Sequence, residues 1–442
     1  MNALEDWPDS QQLSVRTLGP CKHPSPLLES PQPFVDESDR VLLCSTTAQL
    51  APFIERGLPP PSFEPAGIRK RLYFDPKRVR AAILTCGGLC PGLNNVIRAV
   101  VLQLIYAYGI REILGLRYGY AGLSKSRETP VQLTDDVVES LHEHGGTLLG
   151  SSRGPQDLGE MTDTLVELGV NVLFVIGGDG GLRGASALVG EIDRRKLSIA
   201  VIGVPKTIDN DLDWIWRSFG FDTAVAAARQ ALTVAHDEAR GVYDGVGLVK
   251  LMGRHSGFIA AHATLACSDV NFCLVPEVRF TLEGAGGFLD CLERRLANKH
   301  HAVVVVAEGA GQELIGDAGP PRVDRSGNIK LKDIGRHLRD RITQHLAARG
   351  IEPLIRYIDP SYLIRSLPAS SFDAQLCLTL GQQAVHAAMA GKTDMLVGSW
   401  NQRFTHVPSA LAIARRKHLD PTGEVWKRVL ETTGQPVSMI GD

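Results

Sequence analysis

Short apolar runs separated by helix-like stretches recur along most of this chain, and several of the runs end in Gly, Asp or Glu. They fall at Arg80–Cys86, Glu112–Leu116, Val172–Ile176, Ile199–Gly203, Val246–Leu251, Phe272–Val275, Ala302–Ala307, Leu354–Ile358 and Met395–Gly398. Runs of this kind imply strands of parallel sheets with helices on both faces. At 442 residues the chain can bury a large core divided between two lobes. The expected fold class is α/β, with two Rossmann-like lobes of parallel sheet and an active site in the cleft between them. Ligands of such sheets collect at the carboxyl ends of strands, so the residues that follow each run are the ones to inspect.

The rest of the chain frames this core, expected at residues 79–398. Residues 1–78 hold a dense scatter of prolines, among them Pro8, Pro20, Pro24, Pro26, Pro31, Pro33, Pro59, Pro60, Pro61 and Pro65. Proline fixes φ and removes a donor, so this extension should be mostly irregular, lying on the body or serving as a contact surface. Gly309–Lys332 reads as an exposed excursion. In the tail, 399–442, the run Arg415, Arg416, Lys417 reads as a solvated helix face. With 22% charged residues and a formal net charge of -2, no global basic field points to nucleic acid or an anionic membrane. The first thirty residues lack the apolar core of a leader, and no apolar stretch is long enough to span a bilayer. The eight scattered cysteines show no paired spacing, which fits a reduced, cytoplasmic protein. Cys86 and Cys90 have no partner pair for a zinc site.

Several strand ends carry chemistry. After Ile199–Gly203 comes V-P-K-T-I-D-N-D, Val204–Asp211. On an extended segment Thr207, Asp209 and Asp211 would share a face, suiting proton removal from an alcohol beside a metal-held anion. A polar turn uses the same residue types. Gly177-Gly178-Asp179-Gly180-Gly181 follows Val172–Ile176; the glycines admit a polyphosphate, and Asp179 can hold its Mg2+. Gly87, Gly88 and Gly92 precede a helix-like stretch, Leu93–Tyr108, without the G-x-G-x-x-G spacing of a dinucleotide site. Arg153, among small residues, suits a terminal phosphate, although a surface arginine would look the same. Met252-Gly253-Arg254-His255-Ser256-Gly257 leads into a helix, Phe258–Leu265, and places a cation for charge building on a transferring group. Glu308, and Tyr362 between Arg356 and Arg365, offer a polar set for a sugar phosphate.

Together these motifs resemble the phosphofructokinase family, in particular its plant-type, ATP-dependent branch. G-G-L-C-P-G-L-N-N-V-I-R, G-G-D-G, P-K-T-I-D-N-D, M-G-R-H-S-G-F-I-A, A-E-G-A-G-Q and Y-I-D-P-S-Y-L-I-R occur in the family's order, from about Val79 to about Gly398. The resemblance implies transfer of a phosphoryl group from MgATP to the 1-hydroxyl of fructose 6-phosphate, the committed step of glycolysis. By the same resemblance Asp209 is the general base, aided by Thr207 and Arg254. Asp179 is the Mg2+ ligand, with Asp211 a further contributor. Gly88, Arg153, Gly154, Gly178, Asp179, Gly180 and Gly181 bind ATP. Thr207, Ile208, Asp209, Met252, Gly253, Arg254, Glu308, Tyr362 and Arg365 bind the sugar phosphate. Arg356 matches an arginine that crosses a subunit boundary, which implies an obligate oligomer, a homodimer or homotetramer; the resemblance also implies allosteric control. Family ATP enzymes usually carry a hydroxyl residue where this chain has Gly181, and an arginine that bacterial relatives supply across the interface is Gly245 here.

Two positions bear on the donor. Pyrophosphate users of the family place an aspartate where this chain has Gly180, and a carboxylate there would fill the room of the α-phosphate; glycine leaves it open to ATP. Lys206 points the other way, since pyrophosphate-dependent relatives share it. The alternative enzyme is therefore a pyrophosphate-dependent phosphofructokinase. An NAD kinase also uses a G-G-D-G loop but lacks T-I-D-N-D and Y-L-I-R, and a regulatory subunit without turnover would not need Asp179, Asp209 and Arg254 together.

Overall fold

In the computed structural model, which describes residues 7–29, 31–124, 128–316, 323 and 329–441, each of the nine apolar runs is a strand. The chain divides into two compact units, each assembled from separated stretches. The first comprises Met1–Ile208, Leu212–Gly220 and Leu367–Arg416; the second comprises Asp209–Asp211, Phe221–Ser366 and Lys417–Asp442. The boundary thus falls inside the T-I-D-N-D motif, between Ile208 and Asp209. Among the described residues no helix is long and apolar enough to cross a membrane.

The first unit is built on a nine-stranded sheet. In spatial order its strands are Val41–Leu42, Ser62–Pro65, Arg403–Pro408, Met395–Trp400, Ala200–Pro205, Val172–Gly177, Ala81–Thr85, Ile113–Gly115 and Val131–Gln132. The stretch from Met395–Trp400 to Ile113–Gly115 is parallel, and the flanking strands are antiparallel. Side chains alternate between two apolar layers. Ile83, Phe174 and Ile202 share one core with the helices Leu93–Tyr108 and Ser371–Met389. Leu84, Leu173, Val175 and Val201 share another with Leu158–Glu167 and Asp179–Arg194. Burial on both faces explains why these strands read as unbroken apolar runs.

The second unit holds a four-stranded, all-parallel sheet in the order Phe272–Leu274, His301–Ala307, Gly245–Leu251, Ile355–Ile358. Val246, Leu248, Val304 and Val306 pack with Leu289, Leu292, Leu338 and Ile342 from the helices Phe288–Lys299 and Ile334–Ala347.

The proline-rich extension is mostly irregular, as expected, but it is stitched to the first unit. Its Ser62–Pro65 strand pairs with Arg403–Pro408, and Arg16–Thr17 pairs with Lys392–Thr393. Trp7 packs at a tilt against Trp214, and Phe63 meets Trp214 and Trp400 edge to face. Beneath this lies a buried ionic cluster in which Glu64 meets Arg69 at 2.7 Å and Lys392 at 2.7 Å. Burial works to raise the Glu64 pKa, but the hydrogen bonds and charges of His406 and Lys392 outweigh it and hold the carboxyl well below the usual range.

Other expectations need correction. The excursion does not start exposed: Ala310 and Gly311 are buried, and residues 317–322 and 324–328 lie outside the described residues. Arg415–Lys417 is not on a helix, since the preceding helix is Ser409–Ala412 and Arg416 bridges antiparallel to Leu212. None of the eight cysteines forms a disulfide.

Removing one member of a buried ion cluster leaves the others unpaired in a poor solvent, at a cost of about 3 kcal/mol or more. Glu64→Ala should therefore lower the denaturant midpoint and expose the extension to limited proteolysis. An unchanged midpoint would mean that the cluster does not hold the extension.

Candidate active site

In the first unit the chain leaves two adjacent parallel strands in opposite directions. Ala81–Thr85 pairs with Val172–Gly177, with Thr85 opposite Ile176. From the former the chain runs through the helix Leu93–Tyr108 to Ile113–Gly115 on one side; from the latter it runs through Asp179–Arg194 to Ala200–Pro205 on the other. This reversal opens a crevice at the carboxyl ends of the two strands, where open α/β sheets bind ligands. The loops after Thr85 and Gly177 line it.

Gly178 is the N-cap of Asp179–Arg194 and offers no side-chain cap, so the first-turn N–H groups are left for another acceptor. Packing demands two of the local glycines, Gly178 and Gly181, and crowds a third, Gly88. A Cβ at Gly178 would lie 2.9 Å from the Lys206 carbonyl oxygen, one at Gly88 3.2 Å from Arg153 Nη2, and one at Gly181 2.9 Å from Cys86 Cβ. Cys86 thus occupies the room that a hydroxyl residue at 181 would need. At Gly180 a Cβ meets nothing within 4 Å. Lys206 Nζ donates to the Gly88 carbonyl at 3.0 Å, and Ser151 Oγ donates to Gly87 O at 2.6 Å, tying the first glycine loop down. Gly154, after Arg153, has φ +103°. Asp179 Oδ1 accepts from Arg183 Nε at 2.9 Å, and its Oδ2 lies 3.4 Å from Arg416 Nη2.

The second unit gathers the acceptor residues on one edge of its sheet. Gly245–Leu251 lies between His301–Ala307 and Ile355–Ile358, with Leu251 opposite Ala307 and Val249 opposite Ile358. Met252, Gly253 and Arg254 therefore emerge beside Glu308, whose N–H donates to Leu251 O at 2.8 Å. Arg365 Nε lies 3.2 Å from Met252 Sδ. Asp209 joins the same edge: its carboxylate accepts the Arg254 backbone N–H, and Ser256 Oγ donates to Asp209 O at 3.1 Å. Oδ1 is shut off from solvent. That burial, with the charges of Asp211 and Glu308, raises the Asp209 pKa to about 7 against the pull of Arg365 and the Arg254 N–H. The Arg254 guanidinium donates to Ile329 O at 2.9 Å.

The segment that carries these groups is not extended. The strand ends at Pro205, and Asn210 has φ +53°, so Thr207, Asp209 and Asp211 do not share a strand face. Thr207 and Ile208 stay with the first unit, and the Thr207 carbonyl accepts from Ser218 Oγ at 2.6 Å. Arg356 is not with the acceptor group; it pairs with Glu238 of the helix Phe221–Arg240 at 3.0 Å. Tyr362 is 83% exposed, a surface position for a residue expected to bind substrate.

The sequence reading missed several supporting residues. Lys250 bridges Asp333 at 3.1 Å and Asp359 at 2.8 Å, fixing the turn that precedes Tyr362 and Arg365. Glu277 accepts the Gly257 N–H at 3.0 Å and steadies the M-G-R-H-S-G loop. Neither has a sequence signal, because each partner is distant in the chain. Arg183 did have one: it stands four residues after Asp179 at the start of a helix.

The description that matches among protein families is Phosphofructokinase, over residues 80–388. The chain belongs to the phosphofructokinase family. It is 52% identical over 436 residues to the ATP-dependent 6-phosphofructokinase of Amycolatopsis methanolica, covering 96% of this chain and 95% of that one. It is 45% identical to the Borreliella burgdorferi ATP-dependent 6-phosphofructokinase, with 98% of each chain covered. It is 44% identical to ATP-dependent 6-phosphofructokinase 1 of Arabidopsis thaliana, covering 94% and 88%. Among solved structures, the pyrophosphate-dependent phosphofructokinase of Marinobacter aquaeolei superposes with a TM-score of 0.66 at 21% identity, covering 82% of this chain and 92% of that one. At that identity the likeness establishes the phosphofructokinase fold.

A base with this pKa is protonated and idle below about pH 7 and ionised above it. The acid limb of kcat/KM for the sugar phosphate should therefore fall near 7, well above the ~3.9 of an ordinary aspartate. A limb near 4 would show that Asp209 is not the titrating base.

Proposed function

We infer that this phosphofructokinase uses ATP to phosphorylate D-fructose 6-phosphate on its 1-hydroxyl, giving fructose 1,6-bisphosphate and ADP. The observation that carries the reading is the Asp209 carboxylate, raised toward neutral pH and set on the strand edge that also presents Arg254 and Glu308. A base with a pKa near working pH is ionised often enough to act and basic enough to take a hydroxyl proton. The high identity to relatives named ATP-dependent 6-phosphofructokinase supports the same conclusion.

In the reaction the proton of the 1-hydroxyl passes to Asp209 as the sugar oxygen attacks the γ-phosphorus in line. The bond from phosphorus to the ADP oxygen breaks, and ADP leaves. Arg254 and Thr207 offset charge on the transferring group, while the backbone N–H groups from Asp179 to Gly181 hold the donor phosphates. Glu308 takes sugar hydroxyls, and Tyr362 and Arg365 take the 6-phosphate with Met252 and Gly253 beside them. Asp179, whose oxygens meet Arg183 and Arg416, fits the role of magnesium ligand, with Asp211 a further oxygen donor. Among the described residues no group of three or more His, Cys, Asp or Glu side chains gathers to hold a metal, and Mg2+ bound through one or two carboxylates plus substrate phosphates needs none. Bound there, the ion neutralises charge on the phosphates. Arg356 serves a neighbouring subunit of a homodimer or homotetramer, and the enzyme works in the cytoplasm.

The open space at Gly180 favours ATP over pyrophosphate. Lys206 does not oppose this, because its amine has a local structural task on the Gly88 carbonyl.

Asp209→Ser should cut kcat by about 10²- to 10⁴-fold, the typical contribution of a general base; a near-normal kcat in a coupled assay would remove Asp209 from the mechanism. Gly180→Asp should fold normally, because its Cβ meets nothing. Like-charge repulsion should raise its KM for ATP by roughly 10-fold or more and permit some turnover with pyrophosphate. An unchanged KM for ATP would defeat the steric account.

A further inference from the structure

The basic run near the C-terminus has a place that its sequence did not announce. After the helix Ser409–Ala412 the chain comes back along the exit of the T-I-D-N-D motif, with Arg416 bridged antiparallel to Leu212. Arg415 pairs with Asp213. Arg416 reaches Asp179, a residue 237 positions earlier in the chain.

The two oxygens of Asp179 are held unequally. Oδ1 takes Arg183 Nε at 2.9 Å, a contact within one helix turn, and Arg183 is itself anchored by donating to Ile413 O. Oδ2 takes Arg416 at 3.4 Å, a loose ion pair whose arginine side chain is 29% exposed. A carboxylate oxygen that ligates Mg2+ gives up most of its capacity for a guanidinium, and the longer contact yields first. The released cation would then stand next to the polyphosphate that accompanies the metal, and a guanidinium fork matches phosphate oxygens.

We propose that Arg416 is a donor-binding residue, which exchanges its loose contact with Asp179 for phosphate oxygens of the magnesium-bound nucleotide. This rests on the reading of Asp179 as the magnesium ligand. It adds to the donor site a residue outside every motif of the core, supplied by a stretch beyond the family match at 80–388.

The test is equilibrium binding of a fluorescent ATP analogue with Mg2+ to the full chain, alongside thermal unfolding and steady-state kinetics. Arg416→Gln should raise the Kd of the Mg-nucleotide roughly 10- to 100-fold, the effect of losing a hydrogen bond between charged groups. Its melting temperature and its KM for fructose 6-phosphate should stay close to wild type. Arg416→Lys should recover part of the affinity, and Arg415→Gln should leave it unchanged. A Kd for Arg416→Gln within about twofold of wild type would overturn the proposal, as would an equal loss in Arg415→Gln, which marks a general loosening of the strap. Should Arg416→Gln fail to fold, Arg416→Lys decides: weaker binding at an unchanged melting temperature supports the role, and wild-type binding refutes it. A folded wild-type chain that binds no Mg-nucleotide would overturn the whole donor assignment, Asp179 and Arg416 alike; wild-type binding that Arg416→Gln retains would remove Arg416 alone.

Discussion

The Asp209 carboxylate is kept in a poor solvent beside two other acids, and the proposed chemistry depends on the raised pKa that results. Burial and the charges of Asp211 and Glu308 push its pKa up, while Arg365 and the Arg254 N–H keep the ionised form accessible. Remove the acids and burial, and the group becomes an ordinary carboxylate, too weak a base for a sugar hydroxyl. Without the Arg254 N–H and Arg365 its pKa would rise further. The balance is set by the register of three parallel strands, which brings Arg254, Glu308 and the turn before Arg365 to one edge.

The donor side rests on a different economy. In the loops proposed to hold the donor, the glycines divide into those that packing requires and those that it does not. Gly178 and Gly181 would each force a Cβ against a neighbour that cannot easily yield, so their identity is explained without any ligand. A Cβ at Gly180 would meet nothing within 4 Å, so packing does not require glycine there. Cys86 and Gly181 form a matched pair in which one side chain fills the room left by the other, which accounts for the absence of a hydroxyl at 181.

Much of the fold was legible because burial on both faces writes itself into a sequence as unbroken Val, Ile and Leu. The strands Val172–Gly177 and His301–Ala307 are instances. The strand-end positions of the candidate residues Asp179, Arg254 and Glu308 were also legible. Reading failed where geometry depends on a single backbone angle or a distant partner. Asn210 adopts φ +53° and breaks the shared face expected of Thr207, Asp209 and Asp211. Arg415–Lys417 looked like a solvated face because its acidic partners, Asp179 and Asp213, lie more than two hundred positions away. The extension's prolines correctly announced irregular backbone, but not Glu64, whose ion cluster with Arg69 and Lys392 forms only on folding.

The account stands or falls on where the sugar's 1-hydroxyl meets the protein. A crystal structure with fructose 6-phosphate and a non-hydrolysable Mg-ATP analogue measures this directly. The structure presented here predicts an Asp209 carboxylate oxygen within about 3.2 Å of that hydroxyl, the reach of a proton transfer. A complex in which the 1-hydroxyl faces another side chain, with Asp209 buried away from it, would contradict the account.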